Sequence, residues 1–324
     1  MAPPFGILQS LSYRVAVLIP CYNEELAIGK VVKDFYSVLP NAEVYVYDNN
    51  SIDNTISVAS AAGANVRRVT RQGKGNVVRQ MFADVEADVY VLVDGDDTYE
   101  ASSAKDMIEK LVDEGLDMVV GVRVSDEQAA YRVGHRLGNA VLTRVANVIF
   151  GRKFSDMLSG YRVFSRRYVK SFPALASGFE TETEITVHAL ELRMPISEVD
   201  TPYRGRPSGS LSKLNTYRDG FRILVTLVSL FKAERPLAFF SILSGFFSLS
   251  SIILIVPIIE TYIRTGLVPR FPTAFLSMGL MLLAFLSITS GFLLDTVTRG
   301  RQEMKRLFYL SIQPTEVHND DVAY

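Results

Sequence analysis

Two stretches near the C-terminus limit what this chain can fold into more than any other feature. PLAFFSILSGFFSLSSIILIVPII (Pro236–Ile259) and FPTAFLSMGLMLLAFLSITSGFLL (Phe271–Leu294) carry no charged side chain. A helix crossing a bilayer needs roughly 20 apolar residues, and both runs reach that length. The alternative is a pair of helices buried in a soluble core, where uncharged runs this long are rare. The link ETYIRTGLVPR is short, so the two runs form a helical hairpin with both flanks on one side of the membrane. The flanks hold Lys232, Arg235, Arg299, Arg301, Lys305 and Arg306, and the link holds Arg264 and Arg270. That bias predicts a cytoplasmic N-terminal domain and a cytoplasmic tail.

Ahead of the hairpin, apolar runs are short and strand-like and helix-like segments alternate. RVAVLIP (Arg14–Pro20), AEVYVYD (Ala42–Asp48), ANVRRVT, ADVYVLVD (Ala87–Asp94) and LDMVVGVRV read as strands. Between them, NEELAIGKVVKDFYSVL (Asn23–Leu39) has helical spacing, with Leu26, Val31, Phe35 and Val38 on one face. SIDNTISVASAAG, GKGNVVRQMFADV and SSAKDMIEKLVDEG are further helices. Such alternation implies right-handed crossovers and an α/β fold, a doubly wound, mostly parallel sheet with helices on both faces. Ligands bind beyond the carboxyl ends of the strands in such sheets. Three polar clusters stand at those ends: CYNEE, DNNSIDNT and DGDDTYE.

The third cluster sets Asp94 and Asp96 around a glycine at the end of a buried strand. A solvated acidic turn is the bland reading. Hard oxygen ligands turned toward one point suit Mg²⁺ or Mn²⁺, which take phosphate oxygens as further ligands. Asp97 is a supporting or N-cap residue, and Thr98 a weak oxygen ligand. Asp48, ending the second strand, can accept a hydrogen bond from a nucleobase N–H. Lys74 stands at a helix start, where phosphates bind well, although no Gly-x-x-x-x-Gly-Lys-Ser/Thr loop exists here. With 34 Lys and Arg against 35 Asp and Glu, the total charge indicates no nucleic-acid partner. The single cysteine, Cys21, excludes an internal disulfide, and the three histidines lack metal-ligand spacing. MAPPFGILQS has no basic segment leading into a long apolar run, so no secretory signal is expected.

VLIPCYNEE, VYDNNSIDNT, RQGKGNVVRQ and VDGDDTYE, in this order and spacing, resemble glycosyltransferase family 2. GVRV, SDMLSGYRVFSRR, GFETETEITVHALE and ISEVDTPYRGRPSGSLSK, followed by two spans, resemble its polyprenyl-phosphate branch, the dolichol-phosphate mannosyltransferase-like group. The resemblance covers about Val15 to Leu294. It implies an inverting transferase in which Pro20, Tyr22, Glu24 and Asp48 hold the nucleoside; Asn50, further along the second cluster, is expected to join the donor site. It further implies that Asp94 and Asp96 hold the metal, beside Lys74, which is expected at the phosphates from its place at a helix start. There are departures. DNNS stands where the family has DDGS, and Thr98 stands where related enzymes have a glutamine ligand. No tryptophan exists for the QxxRW motif of the processive synthases.

The acceptor can be argued from charge. A hydroxyl acceptor needs a carboxylate base, and Asp156, Glu180 or Glu182 could supply one. A phosphate monoester has its second pKa at about 6, so it is already a dianion and needs cations and positioning. Arg123, Arg136, Arg162, Arg204, Arg206 and Lys213 are candidates, each individually also a plausible surface residue. Arg206 in the loop YRGRPSGSLSK is expected to receive the lipid phosphate, with Arg123 and Asp96 completing the catalytic set. LNTYRDGFRILVTLVSLFKAERP (Leu214–Pro236) reads as an interfacial helix, and RVGHRLGNAVLTRVANVIFG as a second amphipathic helix.

The expected organisation is a transferase domain (1–213), a juxtamembrane helix (214–235), two spans (236–296) and a cytoplasmic tail (297–324). The expected activity is transfer of one hexose from a UDP-linked or other nucleotide sugar to an undecaprenyl or dolichyl phosphate at the cytoplasmic membrane face. Membrane lipid is a partner and a homo-oligomer is open. Transfer to a lipid or glycan hydroxyl is the alternative. A transport or scaffold subunit is a third, disfavoured because the spans hold no ionisable residue.

Overall fold

The computed structural model describes residues 13–124, 155–174, 178, 180–205 and 231–313, together with 144, 225, 228 and 229. Two compact units result, one of residues 1–223 and 305–324 and one of residues 224–304.

The first unit is built on a seven-stranded sheet. Its strands are β1 (Val15–Cys21), β2 (Glu43–Asp48), β3 (Asn65–Arg68), β4 (Val89–Leu92), β5 (Met118–Val124), β6 (Arg162–Ser165) and β7 (Ile196–Pro202), in the order β3-β2-β1-β4-β6-β5-β7. All pairs are parallel except those of β6, which runs antiparallel between β4 and β5. The helices are α1 (Ile28–Val38), α2 (Thr55–Ala61), α3 (Lys74–Asp84), α4 (Ser103–Asp113), α5 (Arg166–Ser171) and α6 (Thr181–Glu191).

Burial on both faces explains the near-continuous apolar strands. Val17 and Ile19 of β1 join Val31, Val32 and Phe35 of α1 and Met107, Ile108 and Leu111 of α4 on one face. Ala16 and Leu18 join Met81 and Phe82 of α3 and Phe164, Tyr168 and Ile185 on the other. The sequence reading of α1 is corrected at its start. The helix begins at Ile28 rather than near Asn23, and Leu26 is exposed instead of lining the apolar face. Asn23 adopts a left-handed backbone (φ 53°), and residues 23–27 form the loop that carries the first polar cluster.

His188 on α6 is buried between the Tyr168 and Phe172 rings and meets the Ser171 hydroxyl at 3.2 Å. Burial, with a smaller contribution from the Lys305 charge, pulls its pKa from 6.5 to about 3. Below pH 6.5 the unfolded chain therefore binds a proton that the folded chain refuses. This histidine should remove stability progressively as pH falls from 6.5 toward about 3, on the order of a few kcal/mol in all. Melting curves of wild type and His188→Gln over that range should diverge on acidification, and parallel curves would refute the assignment.

The final turns of the last helix belong to this first unit. Lys305 pairs with the buried Glu191 carboxylate at 2.6 Å, and Arg306 donates to the Leu192 carbonyl. Tyr309 donates to Asp117 at 2.6 Å beneath the Arg167 guanidinium, 5.0 Å from its ring centroid. Within 297–324, expected as a cytoplasmic tail, the chain is helical to Ser311 and Tyr309 is buried.

The second unit is built on the helix α7 (Pro236–Thr265) and on α8 (Phe271–Ser311) as far as Met304. Both are long and apolar enough to cross a membrane, with mean hydropathy of 2.4 and 1.9 in their most apolar windows. Only 11% of each window is buried within the chain, unlike a soluble core helix. Ser251 and Ser277 bind the two helices reciprocally: each hydroxyl donates to the other's carbonyl, at 2.7 and 3.0 Å. Glu234, ahead of α7, meets Arg301 at 3.0 Å. The expected helices over 132–151 and 214–235 lie mostly outside the described residues.

Candidate active site

The three polar clusters meet at the carboxyl edge of β1, β2 and β4, and backbone geometry joins them. Asn23 N–H donates to the Ser51 hydroxyl (2.8 Å), and Ile52 N–H returns to the Asn23 amide oxygen (2.9 Å). Glu24 N–H donates to Thr55 at 2.9 Å. Asn49 donates to the carbonyls of Val69 (3.1 Å) and Arg71 (2.8 Å) and accepts from Gly73 N–H (2.7 Å). An aspartate could not make the first two bonds, so the asparagine in DNNS has a structural reason. Asn50 occupies the left-handed region (φ 64°), which asparagine tolerates better than most residues. Its amide donates to the Thr70 carbonyl at 2.8 Å.

Asp48 is fully buried. One oxygen accepts from Ser51 N–H at 3.1 Å, while Oδ1 is buried without a hydrogen-bond partner. A buried, unsatisfied carboxylate oxygen is unfavourable, and a ligand N–H would relieve it. Pro20, half-buried, is the penultimate residue of β1; past the strand end Tyr22 is exposed and Glu24 buried.

β4 stops at Leu92, so Asp94–Asp97 lie in the turn that follows. The residue between the first two carboxylates must be glycine: a Cβ on Gly95 would stand 2.6 Å from Cys21 Sγ and 3.2 Å from Ile19. Gly160 is constrained in the same way, since a Cβ there would overlap the Asp94 carboxylate. Thr98 proves to be a positioner of Asp96: it is buried, and its hydroxyl donates to Asp96 Oδ1 at 2.6 Å. Asp97, left-handed at φ 58°, turns to an ion pair with Lys30 at 2.7 Å. Among the described residues no three His, Cys, Asp or Glu side chains form a metal cage of their own. Two carboxylates fit an ion that completes its shell with water and phosphate oxygens.

Lys74, at the start of α3, contacts Asp94 Oδ1 and Glu182 Oε1, each at 2.5 Å. Burial alone would lower its pKa, but the two carboxylates more than reverse this and hold it above the ordinary lysine value. Arg123, near the end of β5, grips Asp156 with two donors at 2.6 and 2.8 Å and lies over the Tyr203 ring, 5.6 Å from its centroid. Tyr203 pairs across to Tyr99, and Arg204 N–H donates to the Thr98 carbonyl at 2.9 Å, so the end of β7 is bound to the acidic turn.

Several expectations change here. Arg162 is fully buried, its guanidinium donating to the carbonyls of Ser159, Met157 and Glu182 and to Thr186, so it is no acceptor-facing cation. Of the candidate bases, Asp156 is gripped by Arg123 and Glu182 by Lys74, while Glu180 is exposed. Arg206, Arg136 and Lys213 lie outside the described residues. The Lys74–Glu182 pair was not foreseen, because its members are 108 positions apart and share no motif. Burial pushes the Cys21 thiol well up, reinforced by the surrounding carboxylates Glu24, Asp48, Asp94 and Asp96, so it is no nucleophile.

Residues 16–172 match the family model described as glycosyl transferase family 2. The glycosyltransferase AglJ of Haloferax volcanii is 37% identical over 228 residues, 70% of this chain and 75% of that one. A dolichyl-phosphate hexose transferase from the same organism is 28% identical over 221 residues, 68% of this chain and 95% of that one. Among solved structures, Mycobacterium tuberculosis glucosyl-3-phosphoglycerate synthase, crystallised with Mn²⁺, UDP and glucosyl-3-phosphoglycerate, superposes with a TM-score of 0.54. It is 22% identical, and the match covers 66% of this chain and 80% of that one.

Proposed function

The chain belongs to glycosyl transferase family 2, and from that membership we propose that it is a membrane-bound, metal-dependent hexosyltransferase. It moves one hexose from a nucleoside-diphosphate sugar, UDP-linked, to a polyprenyl phosphate, inverting the anomeric centre. The observation that carries this reading is the meeting of Asp48, Lys74, Asp94 and Asp96 at one sheet edge in a chain that also carries a two-helix apolar hairpin. The related dolichyl-phosphate hexose transferase supports a lipid phosphate acceptor, and the UDP-bound synthase supports a UDP-linked donor.

The geometry of the described residues supports the following proposed roles. Asp48 Oδ1 accepts a base N–H, with Pro20, Tyr22, Glu24 and Asn50 shaping the nucleoside site. Asp94 and Asp96 would hold Mg²⁺ or Mn²⁺, which supplies Lewis-acid neutralisation of charge on the departing diphosphate. Arg123, whose charge Asp156 offsets, is held in place as a hydrogen-bonding group beside the site. With two of three candidate bases locked in ion pairs, an acceptor that needs none is favoured. Arg206 remains the proposed anchor for the lipid phosphate. The proposed orientation places the catalytic unit in the cytoplasm.

The deciding experiment incubates purified protein with polyprenyl phosphate, Mg²⁺ or Mn²⁺, and a panel of UDP- and GDP-sugars. One glycosyl-phospholipid product with inverted configuration is expected; no turnover with any donor would refute the reading. Asp48→Ala should raise the donor KM about ten- to a hundredfold and leave kcat nearly unchanged, because the base is held equally in ground and transition states. A kcat loss at constant KM would give Asp48 another role.

A further inference from the structure

The proposed roles leave one contact unexplained. Lys74 does not point at an open phosphate position. Its ammonium sits 2.5 Å from Asp94 Oδ1, an oxygen of a carboxylate that the proposed function assigns to the divalent ion. Its other partner, Glu182 Oε1, is equally close, and the Lys74 and Glu182 side chains are only 13% and 10% exposed. Glu182 is itself held firmly. Its carbonyl accepts from Arg162 at 3.3 Å and from Thr186 at 3.0 Å, fixing the first turn of α6 against β6.

An ammonium and a divalent ion cannot both approach one carboxylate at full strength, since they repel at a few ångströms in a poorly solvated site. The charges then order the binding events. Asp94, Asp96 and Glu182 offer three negative charges, and Lys74 already offsets one. A divalent ion arriving alone must compete with an ammonium that is covalently present. A diphosphate arriving with it contributes negative charge enough for both cations, and gives Lys74 a new partner beside Glu182.

We propose that Lys74, anchored on Glu182, is a built-in counter-cation that occupies the Asp94 carboxylate until the donor arrives, so that the divalent ion binds tightly only together with the donor's diphosphate. Glu182 is the positioning residue: it retains the ammonium when Asp94 releases it. The inference rests on the proposed function, because it takes Asp94 as a metal ligand.

The test measures Mn²⁺ binding by the full-length protein in detergent, by the loss of the free-ion EPR signal, with and without UDP or GDP. Wild type should bind Mn²⁺ weakly alone and at least about tenfold more tightly with one of the nucleotides. Lys74→Met/Glu182→Gln removes the ammonium and neutralises its anchor together, leaving no buried charge unpaired. This variant should bind Mn²⁺ alone at least about tenfold more tightly than wild type, with little further gain from nucleotide. Lys74→Gln, which keeps a donor for Glu182, carries the same expectation should the double variant fail to fold. Glu182→Gln alone keeps Lys74 on Asp94 and should stay as weak as wild type without nucleotide. Nucleotide-dependent binding in wild type with no gain in either Lys74 variant would overturn the counter-cation while sparing the function. Tight binding by wild type without nucleotide would also overturn it. Wild type that retains no Mn²⁺ even with UDP or GDP would refute the function reading instead.

Discussion

Asp96→Asn is expected to reduce hexose transfer about a hundred- to a thousandfold, the range typical of removing one electrostatic stabiliser of a transition state, while leaving the melting temperature unchanged. The charge is the property removed. Asparagine retains an oxygen to accept the Thr98 hydroxyl, now 2.6 Å from Asp96 Oδ1, so the buried turn keeps its bond. Alanine is the poorer probe, because it strands a buried threonine hydroxyl and would cost about 1–3 kcal/mol through that loss alone. Asparagine also relieves repulsion between Asp96 and Asp94, so no folding defect is anticipated. Mn²⁺-dependent retention of UDP should fall in parallel with transfer. Near-normal activity in Asp96→Asn would remove this carboxylate from the chemistry and with it the proposed metal site.

The second large effect concerns the acceptor. A polyprenol lacking its phosphate should give no detectable product under conditions in which polyprenyl phosphate is consumed. The reasoning is local to the candidate bases. Both Asp156 oxygens lie within 2.8 Å of Arg123 donors, and Glu182 Oε1 is 2.5 Å from Lys74. Neither is placed to take a proton from an alcohol, whereas a phosphate monoester supplies its own anionic oxygen. Its second pKa of about 6 sets the sign of the pH dependence. Transfer should increase as pH rises through that value and the dianion forms, then level off. Efficient transfer to the free alcohol would promote the hydroxyl-acceptor alternative and direct attention to Glu180, the exposed carboxylate at the start of α6.

Local chemistry made much of this protein readable from its sequence. The two apolar runs could only be long helices, because nothing else satisfies the backbone of an uncharged segment of that length. Alternating strands and helices implied a mostly parallel sheet, since parallel neighbours need a crossover. The sheet in turn told where CYNEE, DNNS and DGDD would gather. The antiparallel β6 was not readable: RVFS is four residues long and takes its place only because β4 and β5 both offer it an edge. Arg162 shows the same limit. An arginine has the same letter on a surface as in a core, and only the ring of carbonyls around it makes burial tolerable. Thr98 looked like a ligand because it is adjacent in sequence, but the turn aims its hydroxyl at Asp96. The contact between Lys74 and Glu182 belongs wholly to tertiary structure. Neighbouring letters determine propensity and pattern, whereas the partners of a buried charge are decided by which distant elements the sheet brings to the same edge.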